Sequence, residues 1–179
     1  MTISRASIWI MCVVISGLYS CSSVDKYRVS IETLSTEWQI TAQDASDLSV
    51  LASQEISDWK SMYHGMYAEL SDTLDDHTMA KVNVLKKACL AHGDVLLEVQ
   101  EIMDGKIKDI ENVGLDIQEL MLVLENGEAS ADIDDKIQSA EGLITSYQSS
   151  IQEYRSIIDS TKVSCTETCR DFSLLVMGE

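Results

Sequence analysis

Apolar residues return every seven positions along three long stretches of this chain of 179 residues. The middle stretch is the most regular: Val82, Cys89, Leu96, Met103, Ile110, Ile117 and Leu124 fall at strict sevens, with a companion series of Leu85, His92, Val99, Lys106, Val113 and Leu120. In the last stretch Ile137, Ile144, Ile151, Ile158, Cys165 and Phe172 repeat in the same way, accompanied by Ile133, Ala140, Tyr147, Tyr154, Thr161, Thr168 and Leu175. The first is looser. Ile31, Trp38, Ala45, Ala52, Trp59 and Met66 run beside Leu34, Thr41, Leu48, Glu55 and Met62, and Ala42, Ile56, Tyr63 and Leu70 widen the stripe. A fixed seven keeps one seam of a long helix turned toward its partner, so these repeats predict coiled-coil-like helices.

The breaks fall between the repeats. Ser71 to Thr78 is rich in helix-capping residues, and Asn126-Gly127-Glu128-Ala129-Ser130 offers a glycine stop followed by a serine or Asp132 cap. Gly93, Gly105 and Gly114 lie inside the middle stretch, yet its repeat passes through all three in register. Helices over about 27–73, 77–125 and 130–175 follow, each roughly 70 Å long at 1.5 Å per residue. Short turns make neighbours antiparallel, so the pattern predicts an all-α, elongated, antiparallel up-down-up three-helix bundle. A single hairpin that dimerises is the competing arrangement, and a homo-oligomer is compatible with either. The chain contains no proline, which suits uninterrupted helices and argues against a loop-rich β protein.

Charge narrows the partners. The formal net charge is −17, and residues 1–20 contribute only Arg5 to it, so the remainder is more acidic still. Such a surface repels nucleic-acid phosphates and anionic headgroups, which argues against nucleic acid as a partner and against a bundle lying flat on a membrane.

The N-terminus has an export pattern. Arg5 is followed by Ile8-Trp9-Ile10-Met11-Cys12-Val13-Val14-Ile15, an apolar run short for a bilayer, and then by Leu18-Tyr19-Ser20-Cys21. An aliphatic residue at −3, a small residue at −1 and the following cysteine resemble the lipobox of bacterial lipoproteins. Tyr19 stands where that family usually has a small or aliphatic residue. The resemblance covers residues 1–21 alone. It implies that 1–20 is removed as a signal peptide, that Cys21 carries the lipid (palmitate among its acyl chains), and that 21–26 tethers a bundle over 27–179. Ser22 lacks the aspartate that retains enteric lipoproteins at the inner membrane, so by the same resemblance the outer membrane is the expected site. The alternative is an ordinary secretory signal and a secreted or periplasmic protein. With the lipid beside the first helix, the 126–130 turn is expected near the membrane and the 71–78 turn and C-terminus away from it.

Level matching across the two turns sets Cys89 opposite His64 on the first helix and between Cys165 and Cys169 on the third. In an oxidising compartment a Cys89–Cys165 disulfide is the favoured reading, with Cys169 as the alternative partner for Cys89. Cys165 and Cys169, an i,i+4 pair, cannot bridge each other while helical. Buried free thiols are the plainer outcome. Cys89, His92, Cys165 and Cys169 also have metal-like spacing for zinc or copper, although both pairs sit on helices rather than on knuckle loops, so no metal and no other cofactor is expected.

Polar interruptions of the seam read as structural. Lys106 is expected to reach from the edge toward Asp44 or Asp47, and at Glu55 the seam is expected to shift onto Ile56. Trp38 and Trp59 lie on the seam and belong to the core. Asp72, Asp75, Asp76 and Glu128, Asp132, Asp134, Asp135 lack the spacing of a calcium loop and fit helix starts. No G-x-S-x-G, H-E-x-x-H, P-loop or dinucleotide glycine motif occurs, so no enzyme is expected. Near the end of the chain, Phe172 to Met177 is apolar on all sides. Together with Leu70, Leu74 and Met79 it brings Leu174, Val176 and Met177 to one tip, either folded over the end of the bundle or left as a docking patch. The expected role is that of a lipid-anchored spacer, scaffold or adaptor that binds the membrane through Cys21 and an envelope protein through its tip. An extracytoplasmic bundle that holds a small ligand or metal is the alternative.

Overall fold

A computed structural model describes the backbone of residues 5–68, 74–127 and 130–177, and the side chains of 25–66, 74–127 and 130–177. It is an all-α three-helix bundle: α1 (Arg5–Ala68), α2 (Asp76–Asn126) and α3 (Ile133–Met177). α2 and α3 lie within a few residues of expectation. α1 starts well before 27, because no proline or glycine between Leu18 and Ser30 interrupts helical backbone. Cys21 and Leu70 lie outside the residues whose side chains are described. Among the described residues, no helix is long and apolar enough to cross a membrane.

The turns end and start helices as their sequence suggests. Gly127 takes φ +73°, the left-handed value that stops α2 without a Cβ clash. Asp75 caps α2: its Oδ1 accepts the backbone N–H of His77 at 2.9 Å and of Thr78 at 3.0 Å, and its Oδ2 accepts the Thr78 hydroxyl at 2.7 Å. Before α3, the Asp132 carbonyl accepts the Lys136 N–H, and the Ser130 carbonyl that of Ile133.

The chain divides into two compact units. The first comprises residues up to Thr41 with 109–146, and the second 42–108 with 147–179. In the first unit the strict series of α2 and α3 is buried at Ile110, Ile117, Leu124, Ile137 and Ile144, and Ile31 and Leu34 close the core from α1. Tyr27 donates its hydroxyl to Asp134 at 2.8 Å, and Lys136 pairs with Glu119 at 2.9 Å. The contacts run parallel between α1 and α3 and antiparallel between α2 and α3.

In the second unit Ala45, Leu48, Ala52, Trp59 and Met66 of α1 face Val82, Cys89, Leu96, Val99 and Met103 of α2 and Ile151, Ile158, Cys165 and Phe172 of α3, all buried. Ser49 meets Asp104, and Gln100 donates to Ser53, which fixes α1 and α2 as antiparallel. Glu55 does not yield its place to Ile56, since both are buried. The carboxylate is held by Lys162, whose Nζ donates to Oε1 at 2.5 Å while its own stem stays at the surface. Lys106 departs from expectation: its ammonium lies 5.7 Å from the Tyr147 ring centroid rather than toward Asp44 or Asp47. The ring face attracts the cation at its own level, and Asp47 accepts from Gln43 instead.

Among the described residues, each unit contains a tryptophan–glycine contact. In the first, a Cβ on Gly114 would lie 2.3 Å from Trp38 Cζ2, and Trp38 Nε1 donates to the Ile110 carbonyl at 2.9 Å. In the second, a Cβ on Gly93 would lie 2.0 Å from Trp59 Cζ2, and Trp59 Nε1 donates to the Cys89 carbonyl at 2.8 Å. Both glycines are therefore seats for an indole in an unbroken helix, which is why the seven-residue pattern passes through them. Gly105 has nothing within 4 Å of a would-be Cβ and holds no such ring.

Candidate functional site: three thiols in one layer

The densest chemistry sits in the second unit. Cys89 follows the Val82 step of the α2 seam, and Cys165 follows the Ile158 step of the α3 seam, so the repeat that builds the core turns both thiols inward. Cys169 is one helical turn beyond Cys165 and shares its side of α3. The outcome is a cluster whose three sulfurs all lie within 4.8 Å of one another, with Cys89 and Cys165 buried and Cys169 half-buried. All three are free thiols in this structure.

The surroundings are apolar and tightly held. Trp59 covers one side, its indole N–H donated to the carbonyl of Cys89 itself. Burial pushes the Cys89 thiol up to about 11 and the Cys165 thiol up to about 12. Cys169 adds to the Cys89 shift while a hydrogen bond with Cys165 offsets part of it, and Cys89 and Cys169 both add to that of Cys165. At neutral pH both are protonated and poor nucleophiles, which separates them from the exposed, electropositive setting of a reactive cysteine.

On one flank a cavity of about 200 Å³ reaches the half-buried thiol. It is lined by Met62, Gly65, Met66, Cys169, Phe172 and Ser173. The Met62 and Met66 thioethers were not singled out from the sequence as anything but seam positions, although their spacing of one helical turn places both on the side of α1 that faces this layer.

Two expected neighbours are not donors to the cluster. His92 is half-buried, and its Nε2 lies 3.2 Å from the Thr168 hydroxyl, which in turn donates to the Ser164 carbonyl. His64 is exposed, its ring 6.4 Å from that of Tyr63. The set that converges is thus sulfur alone. The acidic group Asp132, Asp134, Asp135 is exposed at the start of α3, where Ser130 holds the Asp132 carboxyl below its ordinary range and Lys136 adds to the shift. It serves as a cap.

The described tip residues are partly covered. α3 stays helical to Met177, with Phe172 buried, Leu175 and Val176 half-buried, and Leu174 and Met177 exposed at 41% and 69%. Leu74 and Met79 are half-buried at the start of α2. A groove beside them is lined by Lys81, Val84, Leu85, Asp171 and Leu175. Comparison of the chain with protein-family models, with curated proteins and with solved structures gave no match, so the residues themselves are what a functional reading has to stand on.

Proposed function

We propose that this chain is a lipid-anchored protein of a bacterial envelope that acts as a spacer, scaffold or adaptor through protein–protein contacts. The observation that carries the reading is Leu18-Tyr19-Ser20-Cys21 after a short apolar run, directly ahead of a helical bundle. Three further features agree with it. The chain is strongly acidic, which disfavours nucleic acid. Three ionisable seam positions of the second unit are engaged in packing: Glu55 by Lys162, Lys106 by Tyr147, His92 by Thr168. The end of α3 offers Leu174 and Met177 to solvent, apolar surface that a partner can cover.

The experiment is acyl labelling of the full chain in a bacterial host. Wild type incorporates a tagged palmitate and fractionates with membranes, and Cys21→Ser loses both. A chain that stays in the soluble fraction without lipid sinks the anchor. Photo-crosslinkers at positions 174 and 177 then test the adaptor role. One reproducible envelope adduct from the tip supports it, and adducts no different from those of an exposed site such as Lys108 count against it.

A further inference from the structure

We infer that Cys89, Cys165 and Cys169 form a binding site for a soft, low-coordinate cation, copper(I), reached through the cavity lined by Met62 and Met66. The inference stands apart from the envelope reading and survives its failure.

Three observations carry it. First, a disulfide uses two thiols and leaves the third idle, whereas here three sulfurs converge within 4.8 Å. Three sulfurs each about 2.3 Å from a central ion stand roughly 4 Å apart in a trigonal plane, so the cluster needs only a small contraction to close on one. Cys165 and Cys169 on one helical face are placed to share an ion, although their parallel Cβ vectors keep them from bridging each other.

Second, the donor set selects the ion. Zinc takes four ligands in a tetrahedron, usually with nitrogen where a fourth cysteine is missing. The half-buried imidazole of His92 is engaged with Thr168 and falls outside the cluster. Thiolates and thioethers without nitrogen or carboxylate are the soft set that suits copper(I).

Third, the site has an entrance. The cavity of about 200 Å³ ends on Cys169, the one thiol of the three that is not fully buried. Met62 and Met66 on its wall supply neutral sulfur that can pass a cuprous ion inward. As each Cu–S bond forms, an S–H bond breaks and its proton leaves to solvent, and the copper stays cuprous throughout. Trp59 and the surrounding aliphatic side chains exclude water from the far side of the layer.

The test uses the full chain, reduced and kept anaerobic, titrated with copper(I) against a chromophoric copper(I) chelator. About one copper per chain should be withheld from the chelator, with a sulfur-only shell in X-ray absorption. Cys89→Ser, Cys165→Ser and Cys169→Ser should each surrender it, with helix content followed by circular dichroism. Cys169→Ser is the decisive variant, since that half-buried position tolerates a hydroxyl without threatening the fold. Met62→Leu should slow loading and leave the stoichiometry unchanged. Copper lost to the chelator by wild type overturns the site, as does copper retained by a folded Cys169→Ser. Zinc(II) held against an excess of copper(I), a nitrogen-containing shell, or a Cys89–Cys165 bridge in the freshly isolated protein overturns it equally.

Discussion

In the first unit Trp38 seats its indole over Gly114 and donates to Ile110, and in the second Trp59 seats over Gly93 and donates to Cys89. In both cases the accepting carbonyl lies four residues before the glycine, so the ring spans one turn of α2. The tryptophans are three heptads apart, and so are the glycines. The surroundings then diverge. Among the described residues, the first unit buries aliphatic side chains and the Thr41 hydroxyl, which donates to the Glu37 carbonyl, whereas the second sets three thiols, a buried carboxylate and a half-buried imidazole around its tryptophan. A feature found in both units serves packing and register. What only one unit has is where a site is to be sought.

The largest expected effect separates the two rings themselves. Trp59 is buried at 8% exposure and Trp38 is half-buried. Trp59→Ala should therefore cost about 3–5 kcal/mol in urea unfolding, in line with large-to-small core changes. Trp38→Ala should cost clearly less, because part of its surface is already in water. Equal losses would break the distinction between the two environments.

A sharper comparison uses the glycines. In the presence of Trp59, Gly93→Ala forces a methyl into the ring and should destabilise by about 1–3 kcal/mol, the usual range for overpacking. With Trp59→Ala already in place the sign should reverse, because alanine is a better helix former by about 0.8–1 kcal/mol. Gly114→Ala with and without Trp38 should behave alike. Gly105→Ala, with open space where the methyl goes, should stabilise in every background. Should Gly93→Ala prove stabilising beside an intact Trp59, the indole is not seated as described.

The ion pair of the second unit gives a smaller, directional effect. Glu55 is buried at 5% and Lys162 keeps its stem in solvent, so the two ends are not equivalent. Lys162→Met leaves a carboxylate buried without its partner and should destabilise. Glu55→Met removes the charge that was costly to bury and frees a lysine that water can serve, so it should be neutral or stabilising. Lys162 has its pKa raised, first by the hydrogen bond to Glu55. Its contribution is therefore complete at neutral pH and is lost only as the pH climbs past the ordinary lysine range.

Much of this is legible in the sequence. The strict sevens of α2 and α3 together with their companion series contain every buried apolar residue described on those two helices, because a seam that repeats in register leaves few choices for the core. Level matching brought Cys89 to Cys165 and Cys169, since short turns fix antiparallel register. The indole seats were not foreseen. Gly93 and Gly114 sit beside the seam series rather than on it, and a missing side chain leaves no hydrophobic signal. A spacing shared by two tryptophans and two glycines was the clue. Lys106 was sent to the wrong partner, because heptad position gives a residue's level but not which of two facing helices offers the better counterpart. Glu55 was expected to be displaced, because a buried acid is legible only once its cation, 107 residues away, is known to be level with it.

The smallest expected effect asks whether helix starts in the two units are held alike. Asp75 begins α2 in the second unit, its carboxyl kept below the ordinary 3.8 chiefly by the Thr78 hydroxyl. Asp132 precedes α3 in the first, lowered chiefly by Ser130. A carboxylate whose folded pKa lies below its unfolded value stabilises the fold above the unfolded pKa. That contribution is lost as the pH falls through the folded one. Wild-type stability in this window also carries an opposing trend, since protonating a chain of net charge −17 relieves its self-repulsion. The useful quantity is thus a difference: Asp75→Asn keeps a good helix cap and removes the titration. The gap in thermal midpoint between wild type and Asp75→Asn should favour wild type at pH 5, as the charged carboxylate faces the positive end of the helix, and should close or reverse below 3.8. Asp132→Asn should show the same closing gap. A gap that stays constant down to pH 2 would mean that the carboxylates cap by shape alone, and that neither helix start draws on the charge.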